Sequence, residues 1–358
     1  MNVSLPSYPL CSDLWTYLKQ TKKPILMYGM GNGAEKILCE LDKREIVISD
    51  FFASDGFVRG HSFHSKTVLS YSQAKEKYGC DFIVLLAFGS SLDSVIDNIL
   101  KISSEVELYA PDVPVCHSPV FDCNFYNSHY EEIIKAYDAL ADDTSKSIYT
   151  AIINYKLSGD IRYLINAPED DGSSLFSYSN YRVCVDAGAY RGESSRELLS
   201  LSKSIEKIHA IEPDRRSYKK LLEYANSTNG IVTAHNCGVW NEASEGAFSD
   251  MGNRNSSFVE DGKLLTKLDK IDSIIGEDIP DYIKYDVEGC EAMALDGSKK
   301  TISEYYPELL VCVYHKSDDI FSLINKINAE YNDYKLYLRK KKYIPAWDVY
   351  ICAIKEKR

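Results

Sequence analysis

Two stretches of this chain run from an apolar strand through a glycine turn into a helix, and that feature restricts its fold more than any other. One is Ile25-Leu26-Met27-Tyr28 followed by Gly29-Met30-Gly31-Asn32-Gly33-Ala34. The other is Val183-Cys184-Val185 followed by Asp186-Ala187-Gly188-Ala189-Tyr190-Arg191-Gly192-Glu193. Glycine is required where the backbone turns tightly, or where a ligand must approach without a Cβ in the way. Around each turn, apolar runs of strand length alternate with segments of helical spacing, the pattern of βαβ units and a parallel sheet. The expected fold is α/β, with two Rossmann-like doubly wound sheets joined by a helical connector. The boundaries fall at 1–115, 116–178 and 179–358. In the first region the second strand is expected over 45–50. The last region should carry five parallel strands, at 182–186, 207–212, 231–235, 282–287 and 309–314. A pair at 335–338 and 348–354 would then form an antiparallel edge.

Composition narrows the partners. Of 358 residues, 45% are hydrophobic and 26% charged, enough to bury a core, and the net charge is −12. No basic patch argues for nucleic acid or an anionic membrane. The longest apolar run, Phe82 to Phe88, suits a buried strand, whereas a membrane span needs ~20 residues. The N-terminus shows no basic segment leading into an apolar one, and the ten cysteines are scattered without a C-x-x-C pair. Reduced thiols and a cytoplasmic location are therefore expected. His61 and His64 have no cysteine or acid spaced to complete four ligands, so they read as a loop pair and no metal is expected.

The second glycine turn carries the sharper chemistry. Its glycines are four apart, and Asp186 precedes the first by two, where it would repel a pyrophosphate. A cationic, phosphate-free ligand fits better, and S-adenosylmethionine is such a ligand. One strand later, Ile211-Glu212-Pro213 puts a carboxylate at a strand end, where it can accept hydrogen bonds from both ribose hydroxyls. A cofactor there would meet Asp186, Gly188, Ala189, Tyr190, Gly192, Glu212 and Pro213. A third cluster, Lys284-Tyr285-Asp286-Val287-Glu288-Gly289-Cys290-Glu291, sets acids where a buried strand meets a helix. On an extended strand Asp286 and Glu288 would share a face.

These residues, with Leu268-Asp269, resemble the signature of FkbM-type methyltransferases. The resemblance covers about residues 145–355, extending through Val313-Tyr314-His315-Lys316 and Tyr334 to Arg339. It implies a class I methyltransferase fold and transfer of a methyl group from S-adenosylmethionine to a hydroxyl oxygen of a sugar, glycan or secondary metabolite. It also implies Gly188 and Gly192 at the cofactor, Glu212 at the ribose and Asp286 near the methyl group. His315 directly follows a strand read as central, so it would point into the ligand crevice. A neutral imidazole there would be a base near neutral pH. The candidate catalytic residues are His315, Asp286 and Glu288. The acceptor loops are expected at 240–266 and 316–320, with 250–258 as a pocket lid.

The first turn fits the dinucleotide fingerprint, with Gly29, Gly31 and Gly33 before a helix and Asp50 at the next strand end. A nucleotide, NAD or nucleotide-sugar site there is the alternative reading, for an enzyme centred on the N-terminal region. No Tyr-x-x-x-Lys catalytic element follows. Nothing in the sequence sets the oligomeric state.

Overall fold

The computed structural model describes residues 4–58, 60, 62–248 and 264–355. The first sheet contains β1 (Ile25–Tyr28), β2 (Asp50–Ala53), β3 (Leu69–Ser70), β4 (Ile83–Leu86) and β5 (Glu107–Tyr109), in the spatial order β3-β2-β1-β4-β5. All its pairings are parallel. The three central strands β2, β1 and β4 are buried on both faces, as parallel strands flanked by helices must be.

The second sheet contains β6 (Val183–Ala187), β7 (Lys207–Ile211), β8 (Val232–His235), β9 (Tyr282–Tyr285), β10 (Glu308–Cys312), β11 (Tyr334–Lys340) and β12 (Val349–Lys355). Their order is β8-β7-β6-β9-β10-β12-β11. The first five are parallel, and β12 lies antiparallel between β10 and β11. Both sheets reverse order beside their first strand, and the crevice at such a switch point is where α/β folds bind ligands.

The connector is built into the second sheet. Its long helix, Asp143–Ser158, buries Ile148, Tyr149, Ile152, Ile153 and Tyr155 in one core with Leu86 of the first sheet and Leu338 of the second. Burying each such side chain contributes roughly 1.5–3 kcal/mol. Arg339 on β11 fixes the seam, 2.6 Å from Asp142 and 2.9 Å from Asp170. Among the described residues, no helix is long and apolar enough to cross a membrane.

One strand is displaced from its expected position. The apolar pair Phe51-Phe52 forms the ladder with β1, and the preceding Ile46-Val47-Ile48 does not, with Val47 exposed. Asp50 therefore opens β2, beside Leu26, at the amino end of the sheet.

Candidate active site

The carboxyl rim of the second sheet opens on a cavity of about 360 Å³. Its walls are the turn after β6, Glu212 to Asp214 after β7, Cys237 to Val239 after β8, Asp286 to Glu288 after β9, and Tyr314 after β10. Asp348 joins them from the amino end of β12, because an antiparallel strand begins where its parallel neighbours end. Tyr190, Glu288 and Asp348 all line this cavity with a positive φ, at 49°, 51° and 54°. Non-glycine residues hold that region only where their surroundings impose it.

The glycine turn is fastened to both neighbouring strands. The amides of Gly188 and Ala189 donate to the Ile211 carbonyl at 3.0 and 2.9 Å. Gly188 has φ +82°, and a Cβ there would lie 1.8 Å from the Asp286 carbonyl oxygen. The first need for this glycine is thus close contact between the β6 turn and the end of β9. Gly192 similarly leaves room for the Tyr224 ring, which a Cβ would meet at 2.5 Å.

Asp186 is wholly buried and stands behind the cavity wall. Its carboxylate accepts hydrogen bonds from the hydroxyls of Ser194 and Ser195, at 2.7–2.9 Å. Lys284 Nζ lies 3.5 Å from Asp186 and 3.1 Å from Asp286, tying the first turn of the following helix to β9. Asp186 thus meets the cavity indirectly, through Ser194 and through Lys284 and Asp286.

Glu212 lines the cavity and is almost fully buried. One carboxylate oxygen accepts the Tyr190 N–H and the other the Asp214 N–H, both at 2.8 Å. Each oxygen keeps a lone pair for a further donor. Burial pushes this carboxyl up to about 8, against the pull of those two amides.

Asp286 and Glu288 both line the cavity, but strand alternation is not what brings them there. β9 ends at Tyr285, and Glu288 and Gly289 turn through φ +51° and +85°. Tyr285 faces the core. Tyr314 donates its hydroxyl to Asp286 Oδ1 at 3.1 Å. Burial would raise the Asp286 carboxyl, but Lys284 and His315 outweigh it and hold it well below the usual range. Glu288 is pushed up to about 7, mainly by burial, with His315 opposing and Asp286 and Glu291 adding to the rise.

His315 departs from expectation. It is fully buried and is not part of the cavity wall. Its Nδ1 lies 2.9 Å from Glu291 Oε1, and its Nε2 lies 3.5 Å from Asp286 and 3.7 Å from Glu288. Burial disfavours its charge, yet Glu291, Glu288 and Asp286 together raise it to about 10. These three acids favour the charged imidazolium over the neutral base. The expected neutral imidazole pointing into the crevice is thus found as a buried side chain behind the wall, with three carboxylates around it. Glu291, His315 and Asp319 place ligand-type atoms within 4.8 Å of one another. The short His315–Glu291 contact and the Lys316 N–H on Asp319, at 2.7 Å, make this a buried ion network.

The N-terminal crevice is differently built. Asp50 pairs with Lys77 at 2.7 Å and accepts the Tyr78 hydroxyl at the far end of the sheet, so it cannot hold a ribose at the rim. Gly33 is needed because a Cβ would fall 2.3 Å from the Ala87 carbonyl, and at Gly29 a Cβ would meet Phe88 at 2.8 Å. Only at Gly31, among these three glycines, is there open space. Tyr28 stacks on Phe52 and meets Phe88 edge-on, and its hydroxyl bonds Ser54 at 2.5 Å and Asn98 at 3.0 Å. Tyr28 and Phe52 thus belong to the buried core beneath the turn.

His64 pairs with Glu35 at 3.0 Å, while His61 lies outside the described residues. The 250–258 lid and most of the 240–266 loop also lie outside them. The 316–320 segment does not border the cavity: Ser317 is buried and bonds Ser118 and Pro119. Tyr314, Asp348 and the Cys237–Val239 wall were not singled out from sequence. Tyr314 carried a signal, since it follows directly on an apolar strand. So did Asp348, which precedes an edge strand expected to be antiparallel.

A doubly wound sheet of this order, ending in an antiparallel strand inserted beside the fifth, defines the class I methyltransferase fold. Residues 186–345 match the family described as the Methyltransferase FkbM domain. A crystal structure of methyltransferase FkbM from Methylobacillus flagellatus KT aligns over 98% of this chain and 94% of its own, with a TM-score of 0.69 and 22% identity. Its likeness extends the shared fold through both sheets. An rRNA methylase from Streptococcus thermophilus aligns over 50% of this chain and 89% of its own, at 12% identity and a TM-score of 0.34. No curated protein matches this chain.

Proposed function

We propose that this methyltransferase uses S-adenosylmethionine, held in the second crevice, to methylate a hydroxyl oxygen of a sugar, glycan or small metabolite. The observation that carries this reading is the charge of the cavity. Seven acidic side chains, from Glu193 to Asp348, line it, Glu212 and Glu288 titrating near neutrality, with no lysine or arginine among its described lining residues. Such a wall opposes a pyrophosphate and suits a sulfonium. Glu212, braced by two amides, is the ribose acceptor. Ala189, Tyr190 and Pro213 line the same end of the site, with the amide of Tyr190 fixing the Glu212 carboxylate.

When bound, S-adenosylmethionine supplies an activated methyl group. The chain's part is to align the acceptor hydroxyl, exclude water and remove one proton. Glu288 is best tuned for the proton, because a base works best when its pKa lies near the working pH. Asp286, held ionised by Lys284 and His315, accepts a hydrogen bond from Tyr314 and orients the acceptor. His315 acts from behind as the counter-charge that keeps Asp286 and Glu288 in place. An acidic cavity disfavours nucleic acid as the acceptor. The ten free thiols, five of them buried, fit a reducing compartment such as the cytoplasm.

The test is methyl-labelled S-adenosylmethionine offered with hydroxyl-bearing glycans and metabolites, the label located by mass spectrometry. Transfer to an acceptor oxygen supports the proposal. Transfer to carbon or nitrogen would overturn its O-specific part, and binding of NAD without S-adenosylmethionine would overturn the whole.

A further inference from the structure

The turn that carries Glu288 is held from outside its own domain. Cys116 lies in the segment that leaves the first sheet, and its thiol donates to the Glu288 carbonyl at 3.0 Å. The amide of Cys116 donates to the His315 carbonyl, also at 3.0 Å. A Cβ on Gly289 would lie 3.2 Å from both Cβ and Sγ of Cys116, so the segment presses directly on the left-handed turn. Three residues on, Ser118 and Pro119 bond Ser317 at 3.2 and 2.6 Å. The segment is fixed in turn by the first domain. Lys36, on the helix Asn32–Lys43 that follows the first glycine turn, donates to the carbonyls of Pro114 and Val115 at 3.3 and 2.5 Å.

We infer that residues 114–119 are a clamp by which the N-terminal domain sets the position of the Glu288 carboxyl, with Cys116 and Lys36 as positioning residues. Glu288 occupies a left-handed backbone conformation that needs outside support. Within the turn, the Val287 amide bonds Glu291 and the Cys290 amide bonds the Val287 carbonyl. Neither bond constrains the Glu288 carbonyl itself, and the Cys116 thiol does. On this view the first sheet acts on the neighbouring site through a backbone contact, with no ligand of its own. A chain beginning near Tyr126 would lack the clamp.

The inference rests on the proposed role of Glu288 for its catalytic meaning, but its test does not need an acceptor. Hydrogen exchange of the full chain would be followed by mass spectrometry on peptides spanning 284–293. Cys116→Ala should speed exchange of the turn by roughly three- to tenfold, the scale of one lost hydrogen bond. Cys116→Ser keeps a donor and should stay close to wild type. Lys36→Met should speed exchange in both 112–119 and 284–293. Exchange in 183–192, at the glycine turn, should stay unchanged in all three, and so should S-adenosylmethionine affinity by calorimetry. Equal exchange in the Ala variant and wild type would overturn the clamp, as would a Ser variant as fast as Ala. Failure of the wild-type chain to bind S-adenosylmethionine would instead count against the proposed function and leave the exchange result readable.

Discussion

The two sheets share the order of their first five strands and a glycine turn after the first, yet what surrounds the two turns differs. In both, the glycines make room for protein: Gly33 for the Ala87 carbonyl, Gly188 for the Asp286 carbonyl. A glycine fingerprint thus reports close packing of a turn on the neighbouring strand before it reports a ligand. The difference lies in what stands beyond the turn. The second crevice has Glu212 at a strand's carboxyl end and a wall of carboxylates around open space. The first has Asp50 at the amino end of its strand, paired with Lys77, and Tyr28 stacked on Phe52 in the core below the turn.

If the second crevice alone is catalytic, the largest effect belongs to Glu288. Glu288→Gln removes the base but keeps its size, and turnover should fall by ~10²–10⁴ with cofactor affinity nearly unchanged. Steady-state kinetics on a methylated acceptor decides this, and a near wild-type rate would transfer the role to Asp286.

His315→Asn should act on both stability and pH response. It leaves buried carboxylates without their cation, a loss of ~3–5 kcal/mol for a broken buried pair. Removing a neighbouring positive charge raises a carboxyl's pKa, so the acidic limb of the pH–rate profile should move to higher pH. An unshifted limb would show that His315 does not face Glu288 electrostatically.

Glycine substitutions sharpen the contrast within each turn. Gly188→Ala, with φ +82° and a blocked Cβ, should destabilise by at least ~1–3 kcal/mol. Gly31→Ala, with open space around it, should stay within ~0.5 kcal/mol. Denaturant unfolding of the pair measures both, and equal losses would erase the distinction drawn here. The smallest change belongs to the first crevice. Tyr28→Phe loses the bonds to Ser54 and Asn98 and should cost ~0.5–1.5 kcal/mol without altering cofactor binding. A marked fall in S-adenosylmethionine affinity would mean that the first crevice contributes to binding.

Much of this was legible in the sequence because strand and helix periods are local. β1 was placed at its observed limits, and the seven strands of the second sheet to within two residues, including the antiparallel edge. Glu212, Asp286 and Glu288, singled out from the order of acids in the last region, lie on the wall of one cavity. The misplaced second strand shows where that reading weakens: Ile46-Val47-Ile48 and Phe51-Phe52 are equally apolar, and only pairing with β1 selects the second run. A shift of a few residues then carried Asp50 from one end of the sheet to the other. His315 could not be judged from its neighbours in sequence, because its charge is set by Glu291, Glu288 and Asp286, which fold onto it from another strand end. The clamp at Cys116 was equally hidden, being a contact between residues far apart in the chain.

The central claim, that the second crevice and not the first holds S-adenosylmethionine, is tested most directly by calorimetric titration of the full chain. Wild type should bind S-adenosylmethionine at a single site. Affinity should tighten as pH rises toward 8, because ribose hydroxyls donate to the ionised Glu212, whose free carboxyl titrates at about 8. Each lost bond to a charged acceptor is worth ~1.5–3 kcal/mol, so Glu212→Ala should weaken binding by at least ~10-fold and abolish that pH dependence. Asp50→Ala should do neither. Undiminished binding by the Glu212 variant, or loss of binding in the Asp50 variant, would contradict the account.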